Sequence, residues 1–321
     1  GTAFSTGGYT ARYGQALSSV LDLSTLDLPD QTNINIGANF AGIFLGGSKL
    51  MENSAVEFTG FYQNLSPFLA LAKANVKFYE APQGFGFSGR YVTKTSTRGM
   101  FKTTFNQTYN SSGLEIPNPG VAGQNMRFGL KNQNTYVNTT FNNYISDKWT
   151  YYVGFSLSNN DDDITWDTLV STRNDKRVQG RGEMVYTQSN RFKLLIGTEL
   201  QHFQYRQTFD TLTGQFAEML SAGYVEADII PFRNFAIKPG VRAEYSKLLA
   251  KGNISPRLAM AIKTGKTSQI SLASGYFYQL VSQNYLMQGY RPDFQEQCTV
   301  EYFSHFCGFD KGISAAFHSH I

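Results

Sequence analysis

The sequence predicts an antiparallel transmembrane β-barrel. Three observations carry that prediction: two-faced alternation over about ten residues at a time, tight turns at every second connection, and an aromatic-rich composition. The 321 residues include 26 Phe, 19 Tyr and 30 Gly but only 2 Trp, a balance that favours strands over helices. No run approaches the roughly 18 consecutive apolar residues that a membrane helix needs. The mean hydropathy of -0.30 fits a barrel, because a barrel strand shows lipid only at alternate residues. The net charge of +4 comes from Lys and Arg scattered singly among Thr, Asn, Ser and Gln, so nucleic acid is not an expected partner.

In chain order, Gly1 to Tyr13 is small, polar and glycine-rich, with no charged and apolar leader pattern. A signal peptide has been removed, or the chain begins within a longer protein. Strands are expected near Asn33 to Phe44, Ala55 to Asn64 and Phe85 to Thr95. Leu65 to Pro82 reads either as a short helical stripe through Leu69, Ala72 and Val76 or as a loop. Phe101 and Phe105 then oppose Lys102, Thr104 and Asn106, and Tyr136 to Ile145 follows as a strand.

The clearest segment is Trp149 to Ser158. Trp149, Tyr151, Val153, Phe155 and Leu157 fall on one face, and Thr150, Tyr152, Gly154, Ser156 and Ser158 on the other. Phe192, Leu194, Ile196 and Leu200 likewise oppose Lys193, Gly197, Glu199 and Gln201. In the run from Phe235, apolar Ile237, Val241, Ala243 and Tyr245 oppose Lys238, Gly240, Arg242 and Glu244. With Gln215 to Asp228, Ile254 to Ile262 and Gln269 to Tyr278, the chain holds about twelve strands and no convincing helix.

A soluble sandwich also alternates, so strand length and connections must arbitrate. Soluble strands usually run about five or six residues, whereas tilted membrane strands need about nine to eleven. Thr95 to Gly99, Ser146 to Lys148, Gln188 to Asn190, Pro231 to Asn234 and Lys263 to Thr267 are tight, and the links between them read as longer and polar. Short periplasmic turns and long outer loops are the asymmetry of outer-membrane barrels. By that rule Gly46 to Asn53 is also periplasmic and the first strand runs the wrong way, unless Thr32 to Leu45 holds two short strands joined near Gly37 or Gly42.

Catalysis finds no support. His202 is the only histidine before residue 305, and no His-Glu-x-x-His or Gly-x-Ser-x-Gly pattern occurs. Glu199 and Glu244 read as lumen lining rather than as an acid and base pair. Asn159 to Asp163 with Asp167 reads as a solvated acidic loop in preference to a calcium site. Trp166 beside it is the one candidate ligand-stacking residue. No metal and no cofactor are expected. The tail departs from the rest: Cys298, Cys307, His305, His318 and His320 all follow Gln297, in no spacing that matches a zinc motif. Residues beyond about Gln297 are expected not to continue the regular barrel, and a shifted reading frame is the favoured origin over a metal site.

Residues Gly7-Gly8-Tyr9-Thr10-Ala11-Arg12-Tyr13-Gly14-Gln15-Ala16-Leu17-Ser18-Ser19-Val20-Leu21-Asp22-Leu23 resemble the end of the plug domain of TonB-dependent receptors, with Gly7, Gly8, Tyr13 and Gly14 as the motif positions. Arg12, Ser19 and Asp22 depart from the usual acid, glycine and asparagine. Asn253-Ile254-Ser255-Pro256-Arg257-Leu258-Ala259, Thr264-Gly265-Lys266 and Ser271 to Tyr276 resemble an outer loop, strand, turn and strand of the same barrels. The resemblance implies a barrel of about 22 strands closed by a plug, of which this chain supplies about half. It implies a plug end over 1–28 and barrel strands over 29–296; composition marks off the aberrant tail over 297–321. It also implies residence in the outer membrane of a Gram-negative bacterium, with outer-membrane lipid around the barrel. The expected function is import of a small nutrient ligand, energised by the TonB system through an N-terminal part that precedes this chain. The alternative is a passive porin or a secreted, adhesin-like β protein.

Overall fold

A computed structural model describes residues 2–5, 10–17, 19–25, 27–72, 76–118, 120, 123–265, 268–281, 283, 286 and 295–306, with backbone alone for 2–5 and 295–306. Strands β1 (Thr2–Ser5) and β2 (Val20–Leu23) form a separate antiparallel pair. Every other strand joins one antiparallel sheet in chain order. These are β3 (Asn33–Asn39), β4 (Gly42–Leu50), β5 (Ser54–Asn64), β6 (Lys77–Lys94), β7 (Met100–Pro117), β8 (Asn125–Tyr144) and β9 (Trp149–Trp166). Then come β10 (Leu169–Ser189), β11 (Phe192–Phe209), β12 (Leu212–Phe232), β13 (Phe235–Ser246), β14 (Lys251–Lys263), β15 (Ser268–Gln279) and β16 (Gln295–Phe306). The sheet has 14 strands with β3 and β16 at its two ends, so the described wall is a partial β-barrel.

Residues directly across a pair share a face. Tyr152 lies across from Glu183, Glu183 from Gly197, Gly197 from Tyr224, and Tyr224 from Arg242. That row defines the inner face, where residues 10–15 are docked. Tyr151, Val153 and Phe155 take the opposite face with Ile196, Val225 and Val241, while Lys238, Arg242 and Glu244 stay inside. The expected separation of aromatics from charges is therefore observed.

Burial is inverted relative to a water-soluble protein. Val153 is 50% and Ile254 65% exposed, while Arg242 is 1% and Glu199 3% exposed. A sandwich would cover the apolar face with a second sheet, but among the described residues the other sheet is only the β1–β2 pair. On β9 the outward residues are apolar from Trp149 to Leu157, about 26 Å along the strand, the order of the roughly 25 Å apolar band of outer-membrane barrels.

Two open readings are resolved and two expectations change. First, the chain does hold two strands before Leu50: β3 and β4 meet at Phe40 and Ala41, where the Asn39 side-chain carbonyl accepts from the amides of Ala41 and Gly42. The first strand then starts at the edge carrying the tight turns, and the directional misfit disappears. Second, Ser66–Leu71 is a helix, α1, begun by a proline in its first turn, where the missing N–H costs nothing. Lys77 to Pro82 belongs to β6. Third, the polar stretches expected as long outer loops are mostly strand: β9 and β10 are joined by Asp167 and Thr168 alone, β11 and β12 by Asp210 and Thr211. Asn and Asp do not end a strand whose backbone is paired on both sides, as Asn159 to Asp163 is by β8 and β10. Fourth, Gln295–Phe306 pairs with Gln279–Ser268, so the break in composition at Gln297 is not a break in pairing. Backbone ladders need no particular side chain. Residues 307–321, including Cys307, His318 and His320, lie outside the described residues.

Candidate functional site

The inner faces of β10 to β14 concentrate charge in adjacent cross-strand rows. One row runs Arg181, Glu199, Ala222, Glu244, and the next Glu183, Gly197, Tyr224, Arg242. A third runs Glu226, Gly240, Arg257. Period two alone puts these side chains on one face; the small residues Ala222 and Gly240 leave a trough between the charged ones, while the Tyr224 ring lies over Gly197.

Residues 10–15 lie in this trough. The Ala11 amide donates to Glu226 Oε2 at 2.7 Å, and Arg12 Nη2 reaches Glu183 Oε2 at 2.8 Å. Arg242 Nη1 donates to the carbonyl of Arg12 at 3.1 Å, while Arg257 Nη1 donates to the carbonyls of Thr10 at 2.6 Å and Tyr13 at 2.7 Å. Gln15 bridges two elements: its Nε2 donates to Glu244 Oε2 at 3.0 Å, and its Oε1 accepts from the Leu280 amide at 2.9 Å. Gly14 makes the approach possible, since a Cβ there would stand 2.2 Å from Glu244 Oε1 and 2.5 Å from Arg242 Nε.

Arg242 is the hinge of the electrostatics. Its Nε reaches Glu244 Oε1 at 2.7 Å, its Nη2 reaches Glu199 Oε2 at 3.2 Å, and its guanidinium stacks on the Tyr224 ring at 5.3 Å. Tyr224 in turn donates to Glu183 Oε1 at 2.7 Å. A buried charge without partners costs several kcal/mol, so wall and segment satisfy each other. Tyr13, outside the wall, donates to Asp22 Oδ2 at 2.5 Å. Burial first, then that hydrogen bond, pushes its hydroxyl above the ordinary phenol range.

Of the expected motif positions, Tyr13 and Gly14 are in this site, while Gly7 and Gly8 lie outside the described residues. Glu199 and Glu244 line the interior. The grip of Glu183, Glu226 and Arg257 on the segment was not read from the sequence, although the parity of their strands holds the signal. Arg12, which departs from the family wording, takes a carboxylate partner on the wall.

Trp166 is not in a loop. It closes β9, and its ring packs on Phe128 at 5.7 Å and Phe209 at 6.2 Å. The acidic run splits by strand parity: Asp162 faces inward to Asn132 and Arg173, Asp161 outward to Asn159 and Asn174. Alternate faces cannot converge on one ion. Among the described residues no group of three or more His, Cys, Asp or Glu gathers as a metal site. Cys298 and His305 are described only as backbone of β16.

A wall that is apolar outside and charged inside, with residues 10–15 docked on its inner face, is a partial outer-membrane-type β-barrel. The solved structures it matches carry the same fold. The copper transporter OprC superposes with a TM-score of 0.75 at 9% identity, over 96% of this chain and 56% of that one. The FrpB iron transporter from Neisseria meningitidis gives 0.73 at 10%, over 95% and 58%, and the ferric enterobactin receptor PfeA from Pseudomonas aeruginosa 0.68 at 10%, over 94% and 55%. The fold is thus the outer-membrane barrel fold of TonB-dependent siderophore and metal receptors. This chain spans a little over half the length of those proteins. No protein-family model and no curated protein matches the sequence.

Proposed function

We propose that this chain supplies the plug end, over 1–28, and about half of the barrel, from 29 to 296, of a TonB-dependent receptor that imports a small nutrient ligand across the outer membrane. Backbone pairing carries the sheet on through β16 to Phe306, although the composition changes at Gln297. One observation carries the reading: residues 10–15 are pinned to the inner wall by Glu183, Glu226, Arg242 and Arg257. A passive pore gains nothing from a segment bound to its inner wall, whereas a gated importer needs a plug held by polar contacts that can exchange for water. The same wall supports a transport role over an enzymatic one, since its carboxylates are engaged in holding the segment.

The test is ligand uptake by cells carrying the full-length receptor, with and without a protonophore. Uptake that stops when the potential is collapsed supports energised import. Uptake that continues undiminished leaves a porin.

A further inference from the structure

A second cluster of side chains lies on the inner wall, remote from the docked segment. Trp166, Phe128 and Phe209 form a row of rings at the outer end of β8 to β11. Trp166 is held firmly, because the turn beyond it is tied to β8: the Arg127 amide donates to Asp167 Oδ1 at 2.7 Å and the Asp167 amide to the Arg127 carbonyl at 2.8 Å. Four residues deeper on the same face, about 13 Å along the strand, lies a ladder of planar polar groups. Asn132 donates to Asp162 at 2.5 Å and Asn160 at 3.0 Å, Asn134 donates to Asn160 at 3.2 Å, and Arg173 Nε donates to Asp162 at 2.8 Å.

Charge decides what such a site takes. Beside the ladder two carboxylates, Asp162 and Asp175, face two guanidinium groups, Arg173 and Arg177, each acid paired with one cation, so the local sum is zero. Lys131 and Asp163 lie across from each other on the outward face and do not add to it. An anionic metal chelate needs a surplus of cation in its site, and none is present here. A neutral, hydroxyl-rich ligand fits instead. The amides of Asn134 and Asn160, held in place by Asn132 and by buried Asp162, offer donors and acceptors to vicinal hydroxyls, and the rings offer flat apolar faces for the C–H side of a sugar.

We propose that Trp166, Phe128 and the amides of Asn134 and Asn160, positioned by Asn132 and Asp162, form a subsite for a short neutral oligosaccharide on its way into the barrel. The proposal rests on the uptake reading above and names its substrate class.

The experiment uses the full-length receptor in detergent and an array of neutral oligosaccharides cut from starch, xylan and β-glucan, with a ferric catecholate chelate alongside. At least one oligosaccharide should be retained and the chelate should not. Trp166→Ala should weaken the retained sugar about tenfold, the loss of one stacked ring, and Trp166→Phe should restore most of it. Asn134→Ala should weaken it severalfold without changing the melting temperature, which keeps the test valid if Trp166→Ala folds poorly. An array with no retained sugar, or a chelate whose binding Trp166→Ala weakens, overturns the proposal. Potential-driven uptake of the chelate, unaffected by Trp166→Ala, overturns the sugar subsite and leaves energised import standing. Sugar binding with uptake indifferent to the potential supports the subsite and removes energised import.

Discussion

The inner wall has two contrasting halves. Across β10 to β14 it presents Arg181, Glu183, Glu199, Glu226, Arg242 and Glu244, closed over by residues 10–15. Across the middle of β7 to β9 the same face presents Thr104, Asn106 and Thr108, then Asn134, Tyr136 and Asn138, then Ser156 and Ser158, all uncharged, with Lys102 below them paired to Asp27 and Asp162 above them paired to Arg173. Ions buried in a wall need partners of fixed geometry, so the charged half specifies what lies on it. Hydroxyls and amides tolerate water and many partners, so the neutral half can stay open. The hydrogen bonds that hold residues 10–15 thus come from the charged half of the wall.

The contrast breaks most visibly at Arg242. Arg242→Ala removes the guanidinium that Glu199 and Glu244 share, leaving Glu199 to Arg181 and buried Glu244 to the neutral Gln15, and frees the carbonyls of residues 11 and 12. The expected loss is about 3–5 kcal/mol, read as a lower unfolding midpoint and as protease access to residues 10–15. Next in size is the outer belt: Val153→Lys should cost about 2–4 kcal/mol in membrane folding, while Ser156→Lys on the inner face should fold near normally. Equal penalties for the two lysines would mean the faces are wrongly assigned.

Gly14→Val tests the close approach. Its Cβ collides with Glu244 and Arg242, so a loss of about 1–3 kcal/mol should appear as release of the segment with the barrel intact. The smallest effect belongs to the neutral half. Asn134→Ala removes one hydrogen bond to Asn160 and should cost no more than about 1 kcal/mol; a loss as large as that of Arg242→Ala would erase the distinction between the halves.

Much of this was legible in the residues, and the limits have physical causes. The two faces of Trp149 to Leu157 and of Phe235 to Tyr245 are local patterns, since a strand declares its solvents every second residue. The end of β9 was not legible. Asn159 to Asp163 is polar on both faces, as a loop is, and only the pairing by β8 and β10 makes it strand. Gln295–Phe306 was misjudged for the same reason, because composition says little about a backbone ladder. In the site, Glu199 and Glu244 could be placed inside by parity. The grip of Arg257 on Thr10, across 247 positions of sequence, depends on how the sheet curves around the segment, which no local pattern encodes.

The most direct test of the account is a spin-label accessibility series on the full-length receptor in lipid bilayers, with Cys298 and Cys307 replaced by serine. Nitroxides at positions 153, 196 and 241 should be relaxed by oxygen dissolved in the bilayer. Those at 156 and 179 should be relaxed by a water-soluble nickel chelate instead. Labels at both sets that respond alike to the two reagents, or in the reverse sense, would contradict a membrane wall with an aqueous, segment-holding interior.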